Sequence, residues 1–154
     1  MEQKKKIVII GGGFGGIELA KKLKNQNVDI VILDKHNYHT FQPLLYQVAT
    51  GGLEADSIAF PIRKIFKGQK NLKFRVTEVK KVVAEENKLE TTIGDYHYDY
   101  LVIATGSTSN FFGQTEISQN AMPMKSIPEA LNLRSLKPPL LLRIQKENMN
   151  YSTL

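Results

Sequence analysis

The chain has 154 residues, 42% of them hydrophobic and 23% charged, with a formal net charge of +6 and a sequence pI near 9.4. That is enough chain for one globular domain with its own core, and no run of 18 apolar residues offers a membrane span. There is no cysteine, which excludes disulfide frameworks, thiolate metal sites and cysteine redox relays from this segment.

Behind the basic start MEQKKK, the apolar run Ile7 to Ile10 is too short for a secretory signal core, and glycines follow it directly. The excess charge is spread out. Lys21, Lys22, Lys24, Lys64, Lys67, Lys80 and Lys81 stand among acidic residues with no interleaved aromatics. That is the pattern of a solvated face, so nucleic acid is not an expected partner.

Lys6 to Ile10 is a short β-branched apolar run and predicts a buried parallel strand. Phe14 to Lys24 has helical period: Ile17, Ala20 and Leu23 share one face, and Glu18, Lys21 and Lys22 face water. Asp29 to Leu33 predicts a second buried strand ending at Asp34. Strand, glycine turn, helix and strand make a βαβ unit with a right-handed crossover.

The next stretch holds Pro43, Pro61 and the pair Gly51-Gly52. It predicts a loop with short helical pieces around Leu44 to Val48 and Pro61 to Phe66, broken at the glycines. Leu72 to Val83 and Lys88 to Ile93 have strand character, with Glu86-Asn87 as the turn. Tyr98 to Ala104 predicts a third strand closed by Thr105-Gly106-Ser107. At Ser126-Ile127-Pro128-Glu129 a cap, a tolerated first-turn proline and a capping-box glutamate start a helix through about Ser135. The expected fold is α/β: a Rossmann-type parallel sheet in three layers, with a small antiparallel β piece from Leu72 to Ile93, incomplete as a domain.

Gly11, Gly13 and Gly16 form G-x-G-x-x-G between a strand and a helix. Gly11 permits the tight turn, Gly13 the close approach of backbone to a pyrophosphate, and Gly16 the packing of helix on strand. The helix N-terminus then presents free N–H groups and a positive dipole end to phosphate. Asp34 falls at the spacing where a carboxylate accepts hydrogen bonds from a ribose diol. Its charge opposes a 2′-phosphate, although Lys35 beside it could serve one. The fingerprint does not separate NAD from FAD. No G-K-[ST] follows the glycines, which excludes an ATP-type phosphate loop. The strand ending in Ala104-Thr105-Gly106 offers small groups that let backbone approach a flat ligand.

Together the two motifs resemble the flavoprotein disulfide reductase superfamily. The segment HTFQPLLYQVATGGLEADSIAFPIR narrows the resemblance to type II NADH:quinone oxidoreductases, through Phe41 to Leu45, Val48 to Gly51 and Pro61 to Arg63. The resemblance covers residues 1 to about 136. It implies FAD in the first Rossmann domain, with Gly11, Gly13, Phe14, Gly15 and Gly16 around the pyrophosphate. It also implies Asp34 and Lys35 at the adenosine ribose, Gln42 near the flavin, Val79 offering backbone to the adenine edge, and Ala104, Thr105 and Gly106 lining the cofactor. The implied activity passes a hydride from NADH to FAD and electrons on to quinone. The flavin does the chemistry, so no catalytic side chain is expected here. The implied location is cytoplasmic, peripheral on the cytoplasmic face of the membrane. His36 and His39 read as loop residues near the cofactor, not metal ligands, because no third ligand is apparent.

The chain departs from that family after the first domain. It has no second glycine fingerprint, no later Gly-Asp segment to complete the flavin site, and no quinone or membrane-docking segment. Pro138-Pro139 would stop the last helix. In a shifted frame, permitted codons for residues 136–154 can encode an acidic helical segment like the family's linker. The expectation is a partial FAD-binding domain over 1–136 and a frame-shifted tail over 137–154. Such a chain is expected to bind FAD weakly or not at all and to show no NADH:quinone turnover by itself. The alternatives are a non-catalytic product of a disrupted gene, or a stand-alone nucleotide-binding module whose partner supplies the missing domain.

Overall fold

The computed structural model describes residues 4–136, so the tail expected over 137–154 lies outside the described residues. Two compact units divide the chain. The first holds residues 4–39 and Phe60–Ser107, and the second holds Thr40–Ala59 and residues 108–136.

The first unit is built on strand β1 (Lys5–Ile10). Val8 and Ile9 are both fully buried although they point to opposite faces, so the strand is covered on both sides. Helix α1 (Phe14–Lys22) follows the glycines and buries Gly16, Ile17 and Ala20. Lys21 and Lys22 lie in its last turn, against the negative dipole end. It stops short of Lys24, because the Lys24 N–H turns back to the Lys21 carbonyl at 3.2 Å in a tight turn. Strand β2 (Val28–Asp34) then runs parallel to β1, from Lys5 opposite Val28 to Ile10 opposite Leu33.

Strands β3 (Tyr38–Thr40) and β4 (Ala59–Pro61) pair as a short ribbon where the sequence predicts loop. Helix α3 (Ile62–Ile65) is the piece predicted from Pro61 to Phe66. Strand β5 (Leu72–Val76) pairs parallel to β2, from Ile30 opposite Leu72 to Asp34 opposite Val76. This corrects the antiparallel piece expected from Leu72 to Ile93. The run breaks at Thr77-Glu78, where the Thr77 N–H still reaches the Asp34 carbonyl at 2.8 Å. Only then does the antiparallel meander begin: β6 (Val79–Val83), β7 (Lys88–Thr91) and β8 (Gly94–His97). The predicted turn between β6 and β7 is present, with Asn87 in the left-handed region at φ 48°.

Strand β9 (Tyr100–Ile103) completes the parallel sheet, in the order β5-β2-β1-β9. Each face has its own core. Ile9, Ile30, Ile32 and Phe74 pack with Ile17 and Ala20 of α1 and with Ile62 and Phe66. On the other face Val8, Val31 and Leu33 pack with Leu89 of the meander. The result is three layers, α on β on β.

In the second unit, helix α2 (Leu45–Thr50) ends on Gly51 in the left-handed region at φ 80°, as the Gly51-Gly52 break predicted. Helix α4 (Thr115–Asn120) carries no signal in the sequence reading. Residues 127–136 are helical. The capping box is made as expected: the Ser126 N–H donates to Glu129 Oε2 at 2.8 Å, and the Glu129 N–H faces the Ser126 hydroxyl at 3.4 Å. Arg134 holds Glu54 in a bidentate pair at 3.1 and 3.2 Å.

Candidate functional site

The glycine loop sits where β1 ends. Gly11 has φ +109°, and a Cβ there would lie 2.3 Å from the Ala104 carbonyl oxygen. Only glycine makes that turn. A Cβ on Gly16 would lie 2.1 Å from the Gly11 carbonyl oxygen, so α1 can close on the strand only without a side chain there. The first and third glycines of the fingerprint therefore do the structural jobs their spacing implies.

Gly13 and Gly15 are different. A Cβ on Gly13 would meet nothing nearer than 4.0 Å, and one on Gly15 would meet nothing within 4 Å. The protein leaves space in front of the loop. Gly13 is the N-cap of α1, has extended backbone and supplies no side-chain cap. The first turn carries no acidic residue. Among the described residues no protein acceptor meets the N–H groups of Gly13, Gly15 and Gly16. Three unmatched donors at the positive end of a helix, with open room before them, suit an anionic ligand.

Asp34 closes the other side. Its Oδ2 accepts the Gly12 N–H at 2.5 Å and its Oδ1 accepts the His36 N–H at 2.7 Å. Those two bonds lock the carboxylate and tie the glycine loop to the end of β2. A carboxylate has about four lone-pair sites, so acceptor capacity remains for hydroxyl donors. Lys35 does not stand free beside it. Its ammonium pairs with Glu78 at 2.8 Å. Lys35 first, and then Lys80, hold the Glu78 carboxyl down at about 2. The cation that could have served a 2′-phosphate is thus already neutralised by a carboxylate.

Ala104 packs against the loop: its N–H donates to the Ile10 carbonyl at 2.8 Å, and its own carbonyl is the atom that forbids a Cβ on Gly11. Thr105 and Gly106 follow, exposed, with Gly106 at φ +74°. Val79 opens β6 opposite Thr91, two residues beyond the Thr77 bond to Asp34. Gln42 belongs to the second unit, where its side-chain amide donates to the Lys125 carbonyl at 3.4 Å. The first unit therefore brings together the glycines, Phe14, Asp34, Lys35, Ala104, Thr105 and Gly106 along the carboxyl ends of the parallel strands, the edge where α/β sheets bind ligands.

Three residues have roles here that only the tertiary contacts reveal, although His39 is expected near the cofactor. Glu78 finds Lys35 only because β5 lies beside β2. Ile62 packs where a Cβ on Gly12 would go, with its Cδ1 2.4 Å from that point. His39 Nδ1 lies 3.1 Å from the Gly12 carbonyl, a geometry in which Nδ1–H donates, and its ring meets Phe14 edge-on at 4.7 Å. His39 thus braces the loop. Among the described residues no group of three or more His, Cys, Asp or Glu could hold a metal ion.

Comparison with known proteins places this geometry in context. The family model described as pyridine nucleotide-disulphide oxidoreductase matches residues 5–145. The type II NADH:quinone oxidoreductase NdhA of Mycobacterium tuberculosis is 41% identical over 133 residues, covering 84% of this chain and 28% of its own length. The type II NADH:quinone oxidoreductase of Staphylococcus haemolyticus is 32% identical over 136 residues, covering 86% of this chain and 34% of its own. Among solved structures, NDH2 from Plasmodium falciparum in complex with NADH superposes with a TM-score of 0.74 at 29% identity, over 86% of this chain and 28% of that one. The sulfide:quinone oxidoreductase of Aquifex aeolicus superposes with a TM-score of 0.76 at 29% identity, over 90% of this chain and 32% of that one. The chain thus spans about a third or less of the length of these relatives.

Proposed function

Because the chain belongs to the pyridine nucleotide-disulphide oxidoreductase family, we propose that its glycine loop holds the ADP half of FAD, and that residues 1–136 are the FAD-binding portion of a type II NADH:quinone oxidoreductase. When bound, FAD supplies the redox chemistry between NADH and quinone. The similarity to relatives bearing that name supports the choice of both substrates.

The observation that carries the reading is the uncapped start of α1, with unmatched N–H groups at Gly13, Gly15 and Gly16 and open space where Cβ atoms would stand. In this reading those N–H groups bind the pyrophosphate, and Phe14 and His39 hold the loop in the shape that aims them. Asp34 accepts from the ribose hydroxyls. Glu78 draws off the Lys35 charge, which favours a free 2′-hydroxyl over a 2′-phosphate. Val79 offers its backbone to the adenine edge. Ala104, Thr105 and Gly106 present a smooth backbone wall to the cofactor, and Gln42 approaches the flavin end. Quinones partition into membranes, so the proposed place of action is a membrane surface, its cytoplasmic face following only from the family resemblance. No helix among the described residues is long and apolar enough to cross one.

The test is titration of the purified 154-residue chain with FAD, followed by flavin fluorescence and anisotropy, beside a parallel titration with NADH. The weak FAD binding expected of a partial domain should be measurable, and Gly13→Val should weaken it further, by at least about tenfold, by filling the space before the N–H groups, with far-UV circular dichroism unchanged. A folded chain that ignores FAD sinks the proposal. Binding of NADH without FAD would replace it with a stand-alone dinucleotide-binding module.

A further inference from the structure

The meander face of the parallel sheet carries a second concentration of unmatched charge. Strand periodicity explains it. Lys6 lies opposite Asp29, and Lys6 is two residues before Val8, so its side chain shares the face that Val8 and Val31 bury against Leu89. On β5, Lys73 lies opposite Val31 and Arg75 opposite Leu33, on that same face, while Phe74 between them enters the opposite core. Lys70 joins them from the turn before β5. With Tyr96 of β8 as a wall, these residues line a groove of about 450 Å³. That volume suits a small organic phosphate.

The charge in the groove is not neutralised. Four other cations of this unit have carboxylate partners, Lys5 with Asp99, Lys35 and Lys80 with Glu78, and Lys88 with Glu86, and what sets the groove apart is that four unpaired cations converge on one concavity. Among the described residues, Lys6, Lys70, Lys73 and Arg75 form no ion pair, and the Lys6 ammonium instead lies 5.9 Å from the centre of the Tyr96 ring. Asp29 is the one carboxylate in the lining. Four cations against one carboxylate leave a formal excess of +3. Like charges converging on a concave surface focus a positive potential there. A singly charged carboxylate ligand would leave most of it uncompensated, whereas a phosphate ester or pyrophosphate carries about two to three charges and accepts several hydrogen bonds at once.

We propose that this groove binds a phosphate-bearing anion at a site separate from the glycine loop. The two sites lie on different faces. The loop leads into α1, which packs on the Ile9 and Ile32 face, and Lys6 stands five residues, or roughly 17 Å of strand, before Gly11. The groove site rests on its own residues and does not depend on the identity of the cofactor at the loop.

The anion is either a soluble phosphate or the headgroup of an acidic phospholipid, and two arms of one experiment separate them. The 154-residue chain is titrated calorimetrically with inorganic pyrophosphate, and is sedimented with phosphatidylcholine vesicles with and without phosphatidylglycerol. Four variants are compared: Lys73→Gln/Arg75→Gln, Lys70→Gln, Lys21→Gln/Lys22→Gln as an equal charge change on α1, and Gly13→Val at the loop. Lys73 and Arg75 are exposed, and circular dichroism melts verify that their variants fold. The expected result is an affinity loss of about tenfold in Lys73→Gln/Arg75→Gln, a smaller loss in Lys70→Gln and wild-type affinity in Lys21→Gln/Lys22→Gln, while Gly13→Val removes only the pyrophosphate bound at the loop and leaves the groove's binding in place. Loss confined to the pyrophosphate arm identifies a soluble ligand, and loss confined to acidic vesicles identifies a headgroup. The proposal is overturned if neither probe binds, if Lys21→Gln/Lys22→Gln loses as much, or if only Gly13→Val loses pyrophosphate.

Discussion

Two glycines four residues apart in one loop should respond to the same substitution with opposite signs. In Gly11→Ala the new Cβ must adopt φ near +109° and sit 2.3 Å from the Ala104 carbonyl oxygen. The conformation alone costs about 1–2 kcal/mol. The oxygen cannot step aside cheaply, because the Ala104 N–H is fixed to the Ile10 carbonyl at 2.8 Å within the β1–β9 pairing. Overpacking of this kind adds about 1–3 kcal/mol, so the sum is roughly 2–5 kcal/mol against a typical domain stability of about 5–15 kcal/mol. In Gly15→Ala the Cβ enters open space on a helical residue, and the lost glycine entropy in the unfolded chain stabilises by about 0.4–1 kcal/mol. Urea unfolding followed by circular dichroism reads both. Gly11→Ala should lower the midpoint sharply and Gly15→Ala should raise it slightly, while flavin titration shows Gly15→Ala weakening the cofactor whose space it fills. Equal destabilisation by the two substitutions would refute the division of the loop into packing glycines and ligand-facing glycines.

Asp34→Ala removes the acceptor of the Gly12 and His36 N–H groups. Hydrogen bonds to a charged group are worth about 1.5–3 kcal/mol each, so urea unfolding should show a loss of at least about 2 kcal/mol, with weakened FAD binding in parallel titrations. Glu78 gives a pH signature. Its folded-state value of about 2 lies below the ordinary 4.5, because Lys35 and Lys80 pair with it. The unfolded chain therefore binds the proton more readily, and the contribution present above about pH 4.5 is lost as pH falls toward 2. Thermal melts between pH 5 and 2 should fall more steeply for wild type than for Glu78→Gln, and added salt should shrink the difference. Leu89 is fully buried against Val8, Val31 and Leu33. Leu89→Ala should cost about 2–5 kcal/mol in urea unfolding, and a loss below 1 kcal/mol would mean the meander does not seal that face.

Much of the first unit is legible in the chain itself. The run of β-branched residues before the glycines, the helical spacing of Ile17 and Ala20, and the strand ending at Asp34 each follow from local rules, and all three elements are present. So is the capping box at Ser126 and Glu129. The run from Leu72 to Val83 reads as one piece in the sequence because strand propensity does not reveal a partner. One continuous strand-like segment is divided between two sheets, and only the neighbours of Leu72–Val76 and Val79–Val83 decide which is which.

The candidate site divides in the same way. The glycine spacing and Asp34 were determined by the sequence, because a turn that forbids Cβ atoms and a carboxylate one strand later are short-range requirements. The tertiary structure decided the rest: that Glu78 neutralises Lys35, that His39 braces Gly12, and that Lys6, Lys73 and Arg75 share a face with Tyr96. These pairs are separated by tens of residues along the chain. Charge and burial act through distance in space, so these encounters exist only once parallel pairing has fixed which strand lies beside which.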